Sequence, residues 1–146
     1  MSNLKIYEWE KENYPKEPRI NVCRVEQQII LRKLSKHFKI IEPGIAPSYR
    51  RGGAGLYVHS KNLIKMGNTT DMGTVIHEFA HHLEYCKYGT TAHRKRFKRV
   101  LKKVYNYVQK RNYWNLGKEI PEKKITEADY NSLNGVKWLR LKMEDK

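Results

Sequence analysis

This chain of 146 residues has two cysteines, Cys23 and Cys86, far apart in sequence and outside any CxxC pattern. That excludes a disulfide framework and a cysteine-rich metal module, and it reads as free thiols in a reducing compartment. No apolar run approaches the roughly 18 residues of a membrane span. Residues 1–18 are charged and aromatic and lack the apolar centre of a signal peptide, so the expected setting is intracellular: cytoplasm, nucleoid or nucleus. Internal repeats and low-complexity tracts are missing, which argues against a solenoid or a fibrous protein. Acidic residues are scarce, 15 against 30 Lys and Arg, for a net charge of +15. With 39% hydrophobic residues the chain can still bury the core of one modest domain.

The positive charge is concentrated. Residues 94–111 hold nine basic side chains and no acidic one. Phe97, Leu101, Val104 and Val108 recur among them at helical spacing, so the charges fall on the opposite, outward face. A ribbon of this kind suits a phosphate backbone, with an anionic membrane surface the lesser option. Candidate nucleic-acid contacts are Arg94, Lys95, Lys98, Arg99, Lys102 and Lys103, extended by Arg50 and Arg51 of a basic Gly/Pro-containing loop. Tyr105, Tyr107, Tyr113 and Trp114 lie among or just after the charges. Bases of single strands can stack on such rings, but core packing is the better reading for the tyrosines.

The chemistry-bearing feature is His77-Glu78-Phe79-Ala80-His81, an HExxH pattern. On a helix, residues i and i+4 share a face, so two imidazoles reach one ion while Glu78 flanks it. Two nitrogen ligands, an open position for water and an adjacent carboxylate are what a zinc hydrolase requires. The helical context is good. Thr70 or Asp71 can cap the start, Val75, Ile76, Phe79, Ala80 and Leu83 form an apolar stripe, and Gly89 can stop the helix.

A catalytic zinc normally takes three protein ligands. His82 points away from the His77/His81 face, and Glu84 shares their element. His93 suits best: it follows the break at Tyr88-Gly89-Thr90-Thr91 and is expected to start a second helix, capped by Thr90 or Thr91, that packs back on the first. His37 and His59 read as ordinary histidines, and Cys86 as a thiol outside the centre. In the expected mechanism Zn²⁺ is held by His77, His81 and His93, and Glu78 is the general base and acid. His59, Tyr85 and Tyr113 are the residues weighed for stabilising the developing oxyanion.

The HExxH run followed by His93 with Phe97 four positions on resembles the SprT-like (Spartan-type) zinc metallopeptidases. The stretch from Gly52 to Ile64 is similar to the strand that precedes the metal helix in that family. The resemblance spans roughly residues 22–108. It departs at Arg94-Lys95, where many members carry Gly-Pro, which bears on the branch of the family and not on the role of His93. The resemblance implies a minimal zincin-like domain and a metalloendopeptidase that cleaves proteins bound or crosslinked to DNA, with stimulation by single-stranded or damaged DNA.

The expected fold class is α+β: an N-terminal helix over 21–38 with Asn21 as its cap, a small sheet with an edge strand, the HExxH helix over about 71–87, and a following helix over about 92–111 carrying the third ligand. Ile40 to Ile45, Gly55 to Ser60 and Asn62 to Met66 are the strand candidates, and the Gly55–Ser60 segment is expected to line the cleft as an edge to which an extended substrate adds. Residues 1–20 read as an irregular or partly ordered arm, 21–114 as the catalytic core, and 115–146 as a C-terminal extension packed on it, where the charge evens out to seven basic and six acidic residues. A monomer is expected. Competing readings are a nucleic-acid-binding protein with a structural zinc, a zinc hydrolase of a non-protein substrate, and an inactive relic used for interaction.

Overall fold

A computed structural model describes residues 3–14, 20–48 and 55–111. Among them the chain is α+β, with four α-helices and two small sheets. Helix α1 spans Asn3–Asn13 and strand β1 spans Asn21–Cys23. Helix α2 (Arg24–Phe38) leads to β2 (Gly44–Ala46). Strands β3 (Leu56–Val58), β4 (Leu63–Lys65) and β5 (Thr69–Asp71) follow, then helices α3 (Met72–Tyr88) and α4 (Lys95–Lys110).

The core forms where three apolar helical stripes meet. Ile30, Leu31 and Leu34 of α2, Ile76, Phe79 and Leu83 of α3, and Phe97, Leu101 and Val104 of α4 are all fully or almost fully buried. Burial of this apolar surface is the main favourable term holding the helices together. In the three-stranded sheet β4 is central, paired parallel to β2 and antiparallel to β3, and it sends Ile64 into the core. The outer edge of β3 pairs with no strand among the described residues. The second sheet is an antiparallel pair, with Val22 opposite Thr70. It sets the entry of α3, since Met72 N–H donates to the Ile20 carbonyl at 2.8 Å.

Several expectations need correction. Residues 3–13, expected within an irregular or partly ordered arm, form α1. Its inward positions are Ile6 and Glu10, continued by Tyr14, all buried, so no apolar stripe marks it in the sequence. Residues 21–23 open the expected N-terminal helix as a strand, because their backbone pairs with β5. The N-cap of α2 is therefore Cys23, not Asn21, and Glu26 accepts the Cys23 N–H at 2.9 Å. Only Gly44 and Ile45 of the first strand candidate pair, in a strand that runs on to Ala46, and a 3-10 turn at His59–Lys61 ends the second candidate early and separates it from the third. No helix among the described residues is long and apolar enough to cross a membrane.

Candidate metal centre

Helix α3 begins as its sequence predicts. Asp71 is the N-cap, and its carboxylate accepts the Thr74 N–H at 2.7 Å, which satisfies one of the orphan donors of the first turn. The helix ends at Gly89, whose φ of 77° is the left-handed conformation that glycine adopts without a Cβ penalty. Between these stops His77 and His81 fall one above the other on one face.

His93 closes the group from another element. Its Nε2 lies 3.0 Å from His77 Nε2 and 2.9 Å from His81 Nε2. The ligand atoms of all three histidines lie within 4.8 Å of one another, an arrangement that could hold a metal ion. A tetrahedral ion bonded to nitrogen at about 2.0–2.1 Å spaces its ligands about 3.3 Å apart, close to what is seen. Hydrogen bonding alone satisfies the trio poorly, because two nitrogens crowd one Nε2 that has at most one proton to share. Burial, with His77 and His93 beside it, pushes His81 down to about 2, and burial and His77 lower His93. Both are thus held as neutral imidazoles, the form that ligates metals.

Each ring is fixed by neighbours. His77 Nδ1–H donates to Glu10 Oε1 at 2.8 Å, leaving the Nε2 lone pair aimed at the centre. The other Glu10 oxygen accepts the Tyr105 hydroxyl at 2.6 Å. Burial and the Glu10 charge push the Tyr105 phenol far up, so it stays a donor. His81 Nδ1 is 2.7 Å from the Thr91 hydroxyl. Phe97 underlies the group: its ring stacks on His81 at 4.2 Å and lies 5.1 Å from His77 and 5.0 Å from His93. This gives the aromatic residue four positions after His93 a physical role. Tyr7 stacks on His77 from the α1 side, 5.1 Å away.

His93 reaches the centre differently from the expectation. Helix α4 starts at Lys95 with Arg94 as N-cap, so His93 sits on the connection and not on the helix, and Thr90 and Thr91 do not cap it. Glu84, weighed as a ligand, instead clamps that connection. It is buried, accepts the Ala92 N–H at 3.2 Å and pairs with Arg96 at 2.9 Å, and Arg96 also donates to the Thr90 carbonyl and hydroxyl.

Glu78, next to His77 on α3, is 5% exposed. Strand β3 approaches it through Gly55: a Cβ at that position would meet Glu78 Cγ at 2.8 Å and Thr74 Cγ2 at 2.9 Å. Only glycine lets the strand come this close. His82 faces away, as expected. It donates through Nε2 to the Ile41 carbonyl at 2.7 Å and accepts from the Tyr57 hydroxyl at 2.8 Å. Burial holds Tyr57 protonated and His82 neutral, so the pair ties β3 to α3. Cys86 Sγ packs 3.6–3.7 Å from the His82 ring, outside the centre. His59 lies against Tyr85 and His37 stacks on Tyr107, both exposed.

Among the candidate nucleic-acid contacts, Arg94, Lys95, Arg99, Lys102 and Lys103 are exposed on or beside α4. Lys98 is half-buried, with its ammonium 5.3 Å above the Trp9 ring. Tyr105 is buried and Tyr107 half-buried, which is the core role favoured for them. Arg50, Arg51, Tyr113, Trp114 and the extension at 115–146 lie outside the described residues.

Tyr7, Glu10 and Gly55 were not singled out from the sequence. Glu10 carries no signal there beyond being an acid in a charged arm. Gly55 is visible only as the start of a strand candidate. Comparison of the chain with protein-family models, with curated proteins and with solved structures finds no match.

Proposed function

We propose that this chain is a zinc-dependent metalloendopeptidase with a zincin-like core, acting on proteins bound or crosslinked to DNA. The observation that carries the reading is the convergence of three imidazole Nε2 atoms from two elements beside the buried Glu78. The donor set fits Zn²⁺: His77, His81 and His93 supply three neutral nitrogens, and among the described residues the cluster contains no fourth protein ligand, as a catalytic site requires. Zinc held there would lower the pKa of water to about 7 and polarise the scissile carbonyl.

The remaining work falls to side chains and backbone. Glu78 takes the proton of the attacking water and returns it to the amide nitrogen as the C–N bond breaks. Gly55 keeps β3 against Glu78, so an extended peptide added to the outer edge of β3 lies beside the reacting groups. Main-chain pairing reads little side-chain identity, which gives broad specificity. The exposed cations of α4 stand on the helix whose buried side supplies Phe97, so a DNA strand bound there adjoins the centre.

The test is cleavage of a DNA-bound basic protein, with and without single-stranded DNA, by the wild-type chain and Glu78→Gln at equal zinc content. Loss of general acid–base catalysis is expected to lower the rate about 10²- to 10⁴-fold. DNA binding that survives in Glu78→Gln, with no cleavage by the wild type, would move the assignment to a nucleic-acid-binding protein with a structural metal.

A further inference from the structure

A buried carboxylate is costly unless donors compensate it. Glu10 is 8% exposed and stands one helical turn after Ile6, at a position where packing alone calls for an apolar residue. Its two oxygens take two buried donors, Tyr105 from α4 and His77 from α3. The arrangement is the carboxylate–histidine pairing that fixes the orientation of a metal ligand.

We propose that Glu10 is a positioning residue of the metal centre, fixing His77 as the Nδ1–H tautomer and making the docking of α1 a condition of tight metal binding. The inference rests on the assignment of His77, His81 and His93 as ligands, not on the peptidase reaction.

The geometry separates this role from simple packing. Helix α1 has other anchors. Ile6 is fully buried, Tyr14 stacks on Tyr105 at 4.0 Å, and the Tyr14 hydroxyl donates to Asn106 at 3.3 Å. These contacts hold α1 down without Glu10. What they do not supply is an acceptor for His77 Nδ1–H. Without one, the other tautomer, with its proton on Nε2, competes, and in that tautomer the nitrogen facing the centre carries the proton while the lone pair on Nδ1 points away from it. Binding and docking are then linked reciprocally: an ion that needs the oriented His77 must in turn favour the docked α1.

The experiment measures Zn²⁺ affinity of the metal-free full chain by competition with a chromophoric chelator, for the wild type and for Glu10→Ala, Glu10→Gln and Tyr105→Phe. Glu10→Ala is expected to weaken zinc binding about 10- to 100-fold. Glu10→Gln keeps an acceptor for Nδ1–H without the charge and is expected to lose less. Tyr105→Phe removes the other hydrogen bond and is expected to lower the melting temperature of the metal-free chain while leaving zinc affinity within about threefold. Hydrogen exchange adds an independent readout: zinc should raise protection of α1 amides in the wild type and fail to do so in Glu10→Ala.

Zinc affinity of folded Glu10→Ala within about twofold of wild type would overturn the proposal. So would an equal loss in Tyr105→Phe, which would mark a packing role. If Glu10→Ala does not fold, Glu10→Leu, which fills the site without an acceptor for Nδ1–H, decides in its place: zinc affinity within about twofold of wild type would overturn the proposal. A wild-type chain that binds no zinc removes both this proposal and the ligand assignment beneath it. One that binds zinc and shows the Glu10 dependence but cleaves nothing leaves the proposal standing and overturns the peptidase reading alone.

Discussion

At Gly55 a single missing methyl group lets β3 rest against the side chain of Glu78. Alanine there would place its Cβ 2.8 Å from Glu78 Cγ, a mid-chain atom that cannot swing clear as a terminal group can. Either β3 retreats or Glu78 turns, and each separates the proton acceptor from the edge on which an extended substrate would lie. On the proposed peptidase function, Gly55→Ala is therefore expected to leave zinc affinity near wild type while kcat falls by roughly tenfold or more, since small displacements of catalytic groups are costly. Steady-state rates at equal zinc content check this, and unchanged kcat would show that the contact does not constrain Glu78. The same scale explains the histidines. Adjacent in sequence, His81 and His82 have opposite fates: one faces His93 and Thr91, the other Tyr57 and Ile41.

At the scale of elements, α3 was legible because its signals are local. The cap, the apolar stripe and the stop glycine lie within the helix or at its ends, and all three act as read. Asp71→Ala removes the acceptor for Thr74 N–H and is expected to cost about 1 kcal/mol in urea unfolding of the metal-free chain. A loss below a few tenths would mean that the β1–β5 pairing alone holds the helix start. Helix α1 was not legible, for a physical reason that bears on function. Its inward face exchanges an apolar side chain for Glu10, so the pattern that marks a packed helix is broken at the residue that contacts a metal-ligand candidate. The start of α4 was misplaced by the same kind of cause. Residues 90–94 have helical neighbours and a threonine pair suited to capping, but Glu84 and Arg96 hold them in a connection, and Thr91 turns to His81.

For the molecule as a whole, two consequences follow from charge and from the proposed metal ion. The exposed cations Arg94, Lys95, Arg99, Lys102 and Lys103 form no ion pair among the described residues. If they meet phosphates, DNA affinity falls linearly in log–log terms with salt. Each alanine substitution at a contacting residue should then reduce the slope by roughly 0.7 to 0.9, read by fluorescence anisotropy across a salt series. A slope unchanged by substitution would assign that residue to solvent. Metal removal should loosen the whole fold, because the three histidines join α3 to the connection before α4. At zinc near 100 times its Kd, the bound ion contributes about 2.7 kcal/mol, or roughly 5–10 °C in melting temperature, all of it lost on chelation. Equal melting temperatures with and without chelator would count against the centre.

Residue chemistry at short range sufficed for much of this. Spacing by four on one helix made His77 and His81 a pair and set Glu78 beside them, and the thinness of acidic residues along 94–111 left a basic outer face to α4. Those features depend on neighbours within a turn or two, and helical geometry converts sequence distance into spatial distance without outside help. Contacts across the chain were another matter. His93 was chosen by elimination, but its meeting with His77 and His81, the Phe97 ring beneath all three, the reach of Glu10 across 67 positions to His77, and the pressing of Gly55 on Glu78 depend on how separate elements pack. Packing is decided by the shared core of α2, α3 and α4 and by the pairing of strands. A sequence pattern records which face an element buries, and only the folded chain settles what that face is buried against.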